Sequence, residues 1–446
     1  MKTFLDWSAY DTYGVGDAYA GIPATGGNYA KAVAVCMNNH QCQREGKGVM
    51  CPSFRITQDP AHSTGARVKA FKAALNGELG DDPFCHPELA AAMDLCVSCK
   101  GCKKECPSAV DMTLIKTEYL AQKNARLGVS RRARLFGALP RWLNEWKPSL
   151  QALVRWRNAS PWVARLAQRW LGISARRSIP EIVAGEVRAP APDVAGLRGK
   201  VVLFVDTFAR HYNPEVAEAA IQVLHAGGYT VDLLKPAETD AEPSRPLCCG
   251  RSYLSQGLVD EARQEAERVM AALAPALAAG TPIVGLEPSC LLALRDEFYS
   301  LSLGPAVGQL SKQVFLFEEF LMREGNKGLS LPLKPLPGGR AVVHGHCHQK
   351  AFAAMKSVRK VLGWIPGFEF DIVDASCCGM SGSFGLEAEH YEASVRMGEL
   401  ALLPAVRAAA DDAVIVADGF SCRHQIRDGS GREAVHVAVL LARALA

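Results

Sequence analysis

The chain has 446 residues, 49% hydrophobic and 22% charged, which allows several folded cores and excludes a disordered protein. A net charge of +4 excludes a nucleic-acid-type polycation, and no nucleic-acid partner is expected. No run of 18 apolar residues predicts a spanning helix, and the opening MKTFLDWSAYDTYGVGD has no apolar signal core, so a cytoplasmic location is expected.

Residues 1–120 carry eight of the fifteen cysteines among short helical patterns. In a reducing compartment such thiols point to metal or redox centres rather than disulfides. GARVKAFKAALNGELG (65–80) and DMTLIKTEYLAQKNARLG (111–128) read as helices that close on glycine, the second opening on an acidic cap. GIPATGGNYA (21–30) looks like a phosphate loop, but one glycine cluster outside a strand–helix setting reads better as a loop near the terminus.

CVSCKGCKKECP places Cys96, Cys99, Cys102 and Cys106 at C-x2-C-x2-C-x3-C-P, the spacing of a ferredoxin-type 4Fe–4S cluster. A zinc ribbon would show two separated C-x2-C pairs instead. In two-cluster ferredoxins the cysteine before proline ligates the other cluster. By that logic Cys51, which precedes Pro52, completes the set Cys96, Cys99 and Cys102, while Cys106 joins Cys36 and Cys42 in a second cluster. That second set lacks a fourth ligand. Cys85 and His40 are the candidates, against readings of Cys85 as a buried packing residue and of His40 as a solvated loop residue.

Residues 121–196 form a different stretch. Within 121–180 thirteen Lys or Arg face one acidic residue, Glu145, and five of the chain's seven Trp are here: Trp142, Trp146, Trp156, Trp162 and Trp170. The segment 134–172 mixes Arg, Trp and Leu at helical spacing, broken by Pro140, Pro148 and Pro161. A basic amphipathic helix with Trp suits peripheral contact with an inner-membrane surface. The same composition suits docking on a partner subunit, or a connector packed on its own protein, and these weigh more than the membrane. EVRAPAPDVAG (186–196) reads as a linker.

Residues 197–325 and 326–446 alternate strand and helix patterns, as α/β units do. They also repeat. KVVLFVDT (200–207) aligns with RAVVHGHC (340–347), Cys248-Cys249-Gly250 with Cys377-Cys378-Gly379, and PIVGLEPSC (282–290) with AVIVADGFSC (413–422). The second copy offers Cys347, Cys377, Cys378 and Cys422, enough for one metal centre, a cluster or zinc. The first offers only Cys248, Cys249 and Cys290, with Thr207 in place of the leading cysteine, and reads either as a metal site or as a degenerate relic. Against both stands the reading of buried thiols that only cap strands. Strand alternation would send His344, His346 and His348 to one face, opposite Cys347, as a proton relay or zinc ligands, or as packed histidines at a strand end.

These motifs, with CPSFRITQDPAHSTGARVKAF and CCGMSGSFGLEAEHYEAS, resemble the C-terminal iron–sulfur part of the FAD-linked D-2-hydroxyacid dehydrogenases, which oxidise D-lactate, glycolate or D-2-hydroxyglutarate. The two CCG modules are also similar to those of heterodisulfide reductase and of the anaerobic glycerol-3-phosphate dehydrogenase iron–sulfur subunit. The resemblance implies an α+β multidomain chain: a helical ferredoxin-like domain followed by two pseudo-repeated α/β CCG modules. It implies an electron-transfer subunit with 4Fe–4S clusters and no FAD of its own. Its partner would be an FAD-containing dehydrogenase subunit and its acceptor a quinone or another carrier. The alternatives are a thiol/disulfide reductase subunit, the electron-transfer subunit of a flavin amine demethylase, and a zinc protein without redox function.

Overall fold

The computed structural model describes residues 1–13, 21–46, 48–183, 187–188 and 198–446. Most of the 186–196 linker therefore lies outside the described residues. Among the described residues the protein is 54% helical with two small sheets, in keeping with the expected α+β class.

The first stretch is helical where caps and periodicity predict. Helix Thr64–Leu75 starts at Ser63, whose hydroxyl accepts from the Ala66 N–H. Helix Met112–Leu127 starts at Asp111, whose carboxylate accepts from the Leu114 N–H, and Gly128 follows it at φ 78°. In the connector the prolines open helices rather than break them. Pro140, Pro148 and Pro161 sit in the first turns of Leu139–Glu145, Lys147–Ala159 and Pro161–Leu171, where a missing N–H costs nothing.

The first module holds strands β1 (Gly199–Phe204), β2 (Tyr229–Leu233), β3 (Ile283–Gly285) and β4 (Val314–Leu316). The second holds β5 (Arg340–His344), β6 (Glu369–Ile372), β7 (Val414–Ala417) and β8 (Ala434–Val435). The sheet orders are β2-β1-β3-β4 and β6-β5-β7-β8, all pairings parallel, so the sequence repeat corresponds to a repeat of topology. In such sheets, sites form beyond the carboxyl ends of the strands. The cysteines stand there: Cys290 follows β3, Cys347 follows β5 and Cys422 follows β7. Asn213 holds the position before helix Pro214–Ala226 as expected, but its side chain makes no capping bond and donates to Glu215 Oε1 instead.

The hydrophobic cores cross between the four stretches. One unites Tyr29, Phe71 and Ile115 with Leu254, Val269 and Leu291 of the first module. A second joins Val201 and Leu203 to Ala341 and Val343 of the other. A third packs Val97 and Cys99 against Cys347, Met397 and Ile415. The cysteine motif at 96–102 is thus wedged between the two modules.

Candidate iron–sulfur and thiol site

The 96–106 motif is built against the segment before Cys51. The Glu105 carboxylate accepts from the N–H groups of Val49 (2.6 Å) and Met50 (2.9 Å). Gly101 packs so close that a Cβ there would lie 2.8 Å from the Met50 backbone. Cys51, Ser98 and Lys100 take positive φ (50°, 50° and 60°), a conformation disfavoured for side-chain-bearing residues that curls the loop around its sulfurs. Cys51, Cys96, Cys99 and Cys102 line one small cavity together with Thr64 and Arg67. Cys36 has Cys106 and Cys42 as charge neighbours, and Cys42 also meets Cys51. Cys85 stands apart, beside Asp82, Lys123 and Arg126, and His40 is exposed with Nδ1 on Gln43.

The thiols are free, and those of both modules are buried. Cys347, Cys377, Cys378 and Cys422 form a connected group, with Cys377 between Cys347 and Cys378, and Cys378 reaching Cys422. Cys248, Cys249 and Cys290 form a chain of three. In each pair the following glycine turns its N–H onto the first sulfur, Gly250 on Cys248 at 3.4 Å and Gly379 on Cys377 at 3.3 Å. Gly379 has φ 89°, and a Cβ there would come within 2.1 Å of the Ser394 carbonyl oxygen.

Cations that sequence reading missed surround these sulfurs. Burial pushes the Cys96 thiol up, but Arg67 and Lys116 beside it more than reverse this and hold it below the ordinary range. Lys350 has Cys347, Cys422 and Cys377 as charge neighbours and donates to the Ala375 carbonyl. Lys100 is 2% exposed, pairs with Asp296 and Glu297 of the first module, and lies over the Phe352 ring. Buried positive charge, sulfur-directed N–H groups and an absence of disulfides fit a thiolate-held inorganic centre. His344 supports this: it is 2% exposed, both its ring nitrogens lack partners, and Cys378 is a charge neighbour. Such an orphaned ring suits a polar group of a centre bound there.

The three histidines do not share a strand face. β5 ends at His344, and His346 caps the helix Cys347–Ala351, its Nδ1 accepting from the His348 N–H at 3.1 Å. The turn into that helix ends the alternation. His348 donates from Nε2 to the Ser98 carbonyl at 3.2 Å, tying the second module to the 96–102 loop. Burial keeps His344 and His346 neutral, down to about 3 and about 4.

A cavity of about 890 Å³ lies at the meeting point. Cys248, Cys249, Cys290, Cys347, Cys377 and Cys378 all reach its wall. So does Glu287, three residues before Cys290. Burial, and then Asp206, raise its carboxyl to about 7, and it accepts from the Phe420 N–H at 2.7 Å. The connector roofs the cavity with Leu135, Phe136, Leu139 and Val163. The arrangement brings both cysteine pairs to one chamber, which sequence alone did not reveal.

This chain is similar to a subunit of the anaerobic glycerol-3-phosphate dehydrogenase of Escherichia coli K12, 30% identical over 289 residues, covering 64% of this chain and 70% of that protein. The chain belongs to that family. It is accordingly a chain of the oxidoreductase-subunit type, and the CCG-module resemblance holds. It is also similar to D-2-hydroxyglutarate dehydrogenase of Pseudomonas putida, 25% identical over 90% of this chain but only 42% of the other. Lactate utilization protein A of Geobacillus thermodenitrificans is 26% identical over 42% of this chain and 75% of its own length. No family model matches the chain, and no solved structure does.

Proposed function

We propose that the chain is the iron–sulfur electron-transfer subunit of a flavin-dependent dehydrogenase. The observation that carries this reading is the adjacency of the ferredoxin-type set and the second-module set, where Cys99 packs in one buried cluster with Cys347, Cys377, Cys378 and Cys422. Cys51, Cys96, Cys99 and Cys102 would hold one 4Fe–4S cluster. Cys36, Cys42 and Cys106 would supply part of a second, and Cys347, Cys377, Cys378 and Cys422 a third centre. Cys248, Cys249 and Cys290 offer three thiolates to a further site. Bound clusters supply one-electron steps, which divide the two-electron output of a flavin. The protein's own part is to bury the sulfurs, direct N–H groups at them and balance their charge with Arg67, Lys116 and Lys350.

The partner would be an FAD-containing subunit that oxidises a secondary alcohol. The names of the relatives point to glycerol 3-phosphate or a D-2-hydroxyacid as that alcohol. The acceptor would be a quinone or another carrier. The outer face of the connector supports contact with a membrane surface, since Trp146, Trp156, Trp162 and Trp170 are 54–68% exposed among arginines. Among the described residues no helix is long and apolar enough to cross a membrane.

Anaerobic purification tests the reading. A brown protein with iron and sulfide that dithionite bleaches, and that loses a defined part of its absorption in Cys99→Ser, is expected. A colourless, zinc-loaded protein would overturn it.

A further inference from the structure

The cavity under the connector has a form that electron transfer between protein-held centres does not need. It runs from the exposed side chains Leu127 and Leu153 down to Cys249 and Cys377, each 2% exposed. Its roof and walls are apolar side chains of the connector and of Phe208, Phe384 and Phe420. Its deep end carries a few polar groups, among them Glu287, Ser289 and His346. The volume of about 890 Å³ includes the space that centres held by these cysteines would fill, and the part beneath the connector is left for a small molecule.

The wall chemistry selects the occupant. Arg132, Arg157 and Arg251 reach the wall, but each is spent within the protein, on Glu389, on the Ser174 and Arg177 carbonyls, and on Glu297. Of the two lysines on the wall, Lys116 donates to the Met93 and Cys96 carbonyls and Lys123 lies over the Tyr119 ring, so an anionic group would meet one ammonium at most and none of these three guanidinium groups uncommitted. A long apolar molecule with a small polar, reducible head fits instead, with its head among the polar groups beside the thiols and its tail along the roof. The mouth at Leu153 lies on the helix that also exposes Trp156, which suits entry from a lipid surface.

We infer that this chamber is the binding site of an isoprenoid-type quinone, reduced there beside the two cysteine pairs. The inference rests on the electron-transfer reading above and names the acceptor and its place. The quinone takes two electrons, supplied by the reduced flavin of the partner, and two protons, and both carbonyl groups become hydroxyls. Both cysteine pairs then face the acceptor, which gives the first module a role beyond that of a relic.

The test uses anaerobically purified full-length protein and an azido-decylbenzoquinone photolabel. Labelling is expected within 127–173 and on the segments carrying Ser289 or His346, competed by unlabelled decylubiquinone. Ala167→Trp and Ala133→Trp, which fill the roof, should each weaken labelling at least tenfold. In dithionite-reduced protein they should also lower the ratio of reoxidation by decylubiquinone to reoxidation by ferricyanide at least tenfold. Labelling elsewhere, or labelling unchanged in both variants, would overturn the chamber assignment. Competition by an oxidised disulfide but not by decylubiquinone would overturn it in favour of a thiol/disulfide substrate. If both variants misfold, the labelled positions in the unaltered protein decide. Loss of the electron-transfer reading shows separately, as a protein that dithionite does not bleach.

Discussion

Single residues decide how firmly the cysteine loops are held. His390 donates from Nδ1 to Glu387 (2.8 Å) and from Nε2 to Asp94 (2.9 Å), and stacks on Phe384. Arg132 of the connector reaches the same Glu387, and His62 and Lys116 lie on the Asp94 side. Burial disfavours a charged ring, but the two carboxylates outweigh it and raise His390 from 6.5 to about 9. Because the folded value lies above the unfolded one, this clamp contributes fully below about pH 6.5 and is lost as pH rises through about 9. His390→Gln should therefore lower the melting temperature more at pH 6 than at pH 10, where only the stacking on Phe384 and one hydrogen bond are left to lose. An equal loss at both would refute the clamp. Gly379 is the second such residue. Gly379→Ala forces a side chain into a left-handed backbone and against Ser394, and should cost at least about 1–3 kcal/mol, read by chemical denaturation.

At the scale of elements, the two modules are latched by a buried polar cluster. Glu318 of helix Phe317–Gly325 faces Asp418 beyond β7, and His436 caps the helix Val437–Ala444. His436 Nδ1 accepts from the Ala438 N–H, and Nε2 donates to the Leu286 carbonyl at 3.2 Å. Both ring nitrogens are thus spent, so the group is a latch rather than a metal site. Asp418 accepts from the Val437 N–H and from Gln349 Nε2, which leaves the shared proton on Glu318. Burial, and then Asp418, raise the Glu318 carboxyl well above its usual range. A neutral amide mimics this protonated acid. Glu318→Gln should shift stability by no more than about 1 kcal/mol, whereas Glu318→Lys should prevent the modules from docking, seen as loss of soluble protein.

At the scale of the molecule, the 96–106 motif is the keystone between the modules. Lys100 pairs with Asp296 and Glu297, while Lys103 pairs with Asp296 and Asp111. Lys100→Met leaves Glu297, 2% exposed, with Arg251 as its cation and Asp296 with Lys103, and should destabilise by less than the ~3–5 kcal/mol of a fully stranded buried charge. Differential scanning calorimetry should show the first transition move to lower temperature. The connector's outer face makes a further prediction for the whole particle. A Trp156→Ser, Trp162→Ser, Trp170→Ser variant removes only exposed side chains, so folding should persist while sedimentation with anionic vesicles falls. Unchanged sedimentation would assign that face to a protein partner instead.

Much of this was legible in one dimension because it depends on local spacing. The cysteine spacing at 96–106 brings Cys96, Cys99 and Cys102 to one small cavity, helix ends follow from caps at Ser63 and Asp111, and the repeat follows from cysteines that recur after matching strands. Even there, alternation misplaced His346, since a helix begins one residue later and abolishes the strand's period of two. What the tertiary structure alone decided is proximity between residues distant in the chain. Lys100 meets Asp296, His348 meets Ser98, and the first cysteine pair faces the second across one cavity beneath the connector. No period in the sequence encodes those meetings. They arise because the segments after β1 and β5 meet at one cavity, the 96–106 loop fills the gap between their modules, and burying its apolar and charged groups there is the packing that satisfies all three.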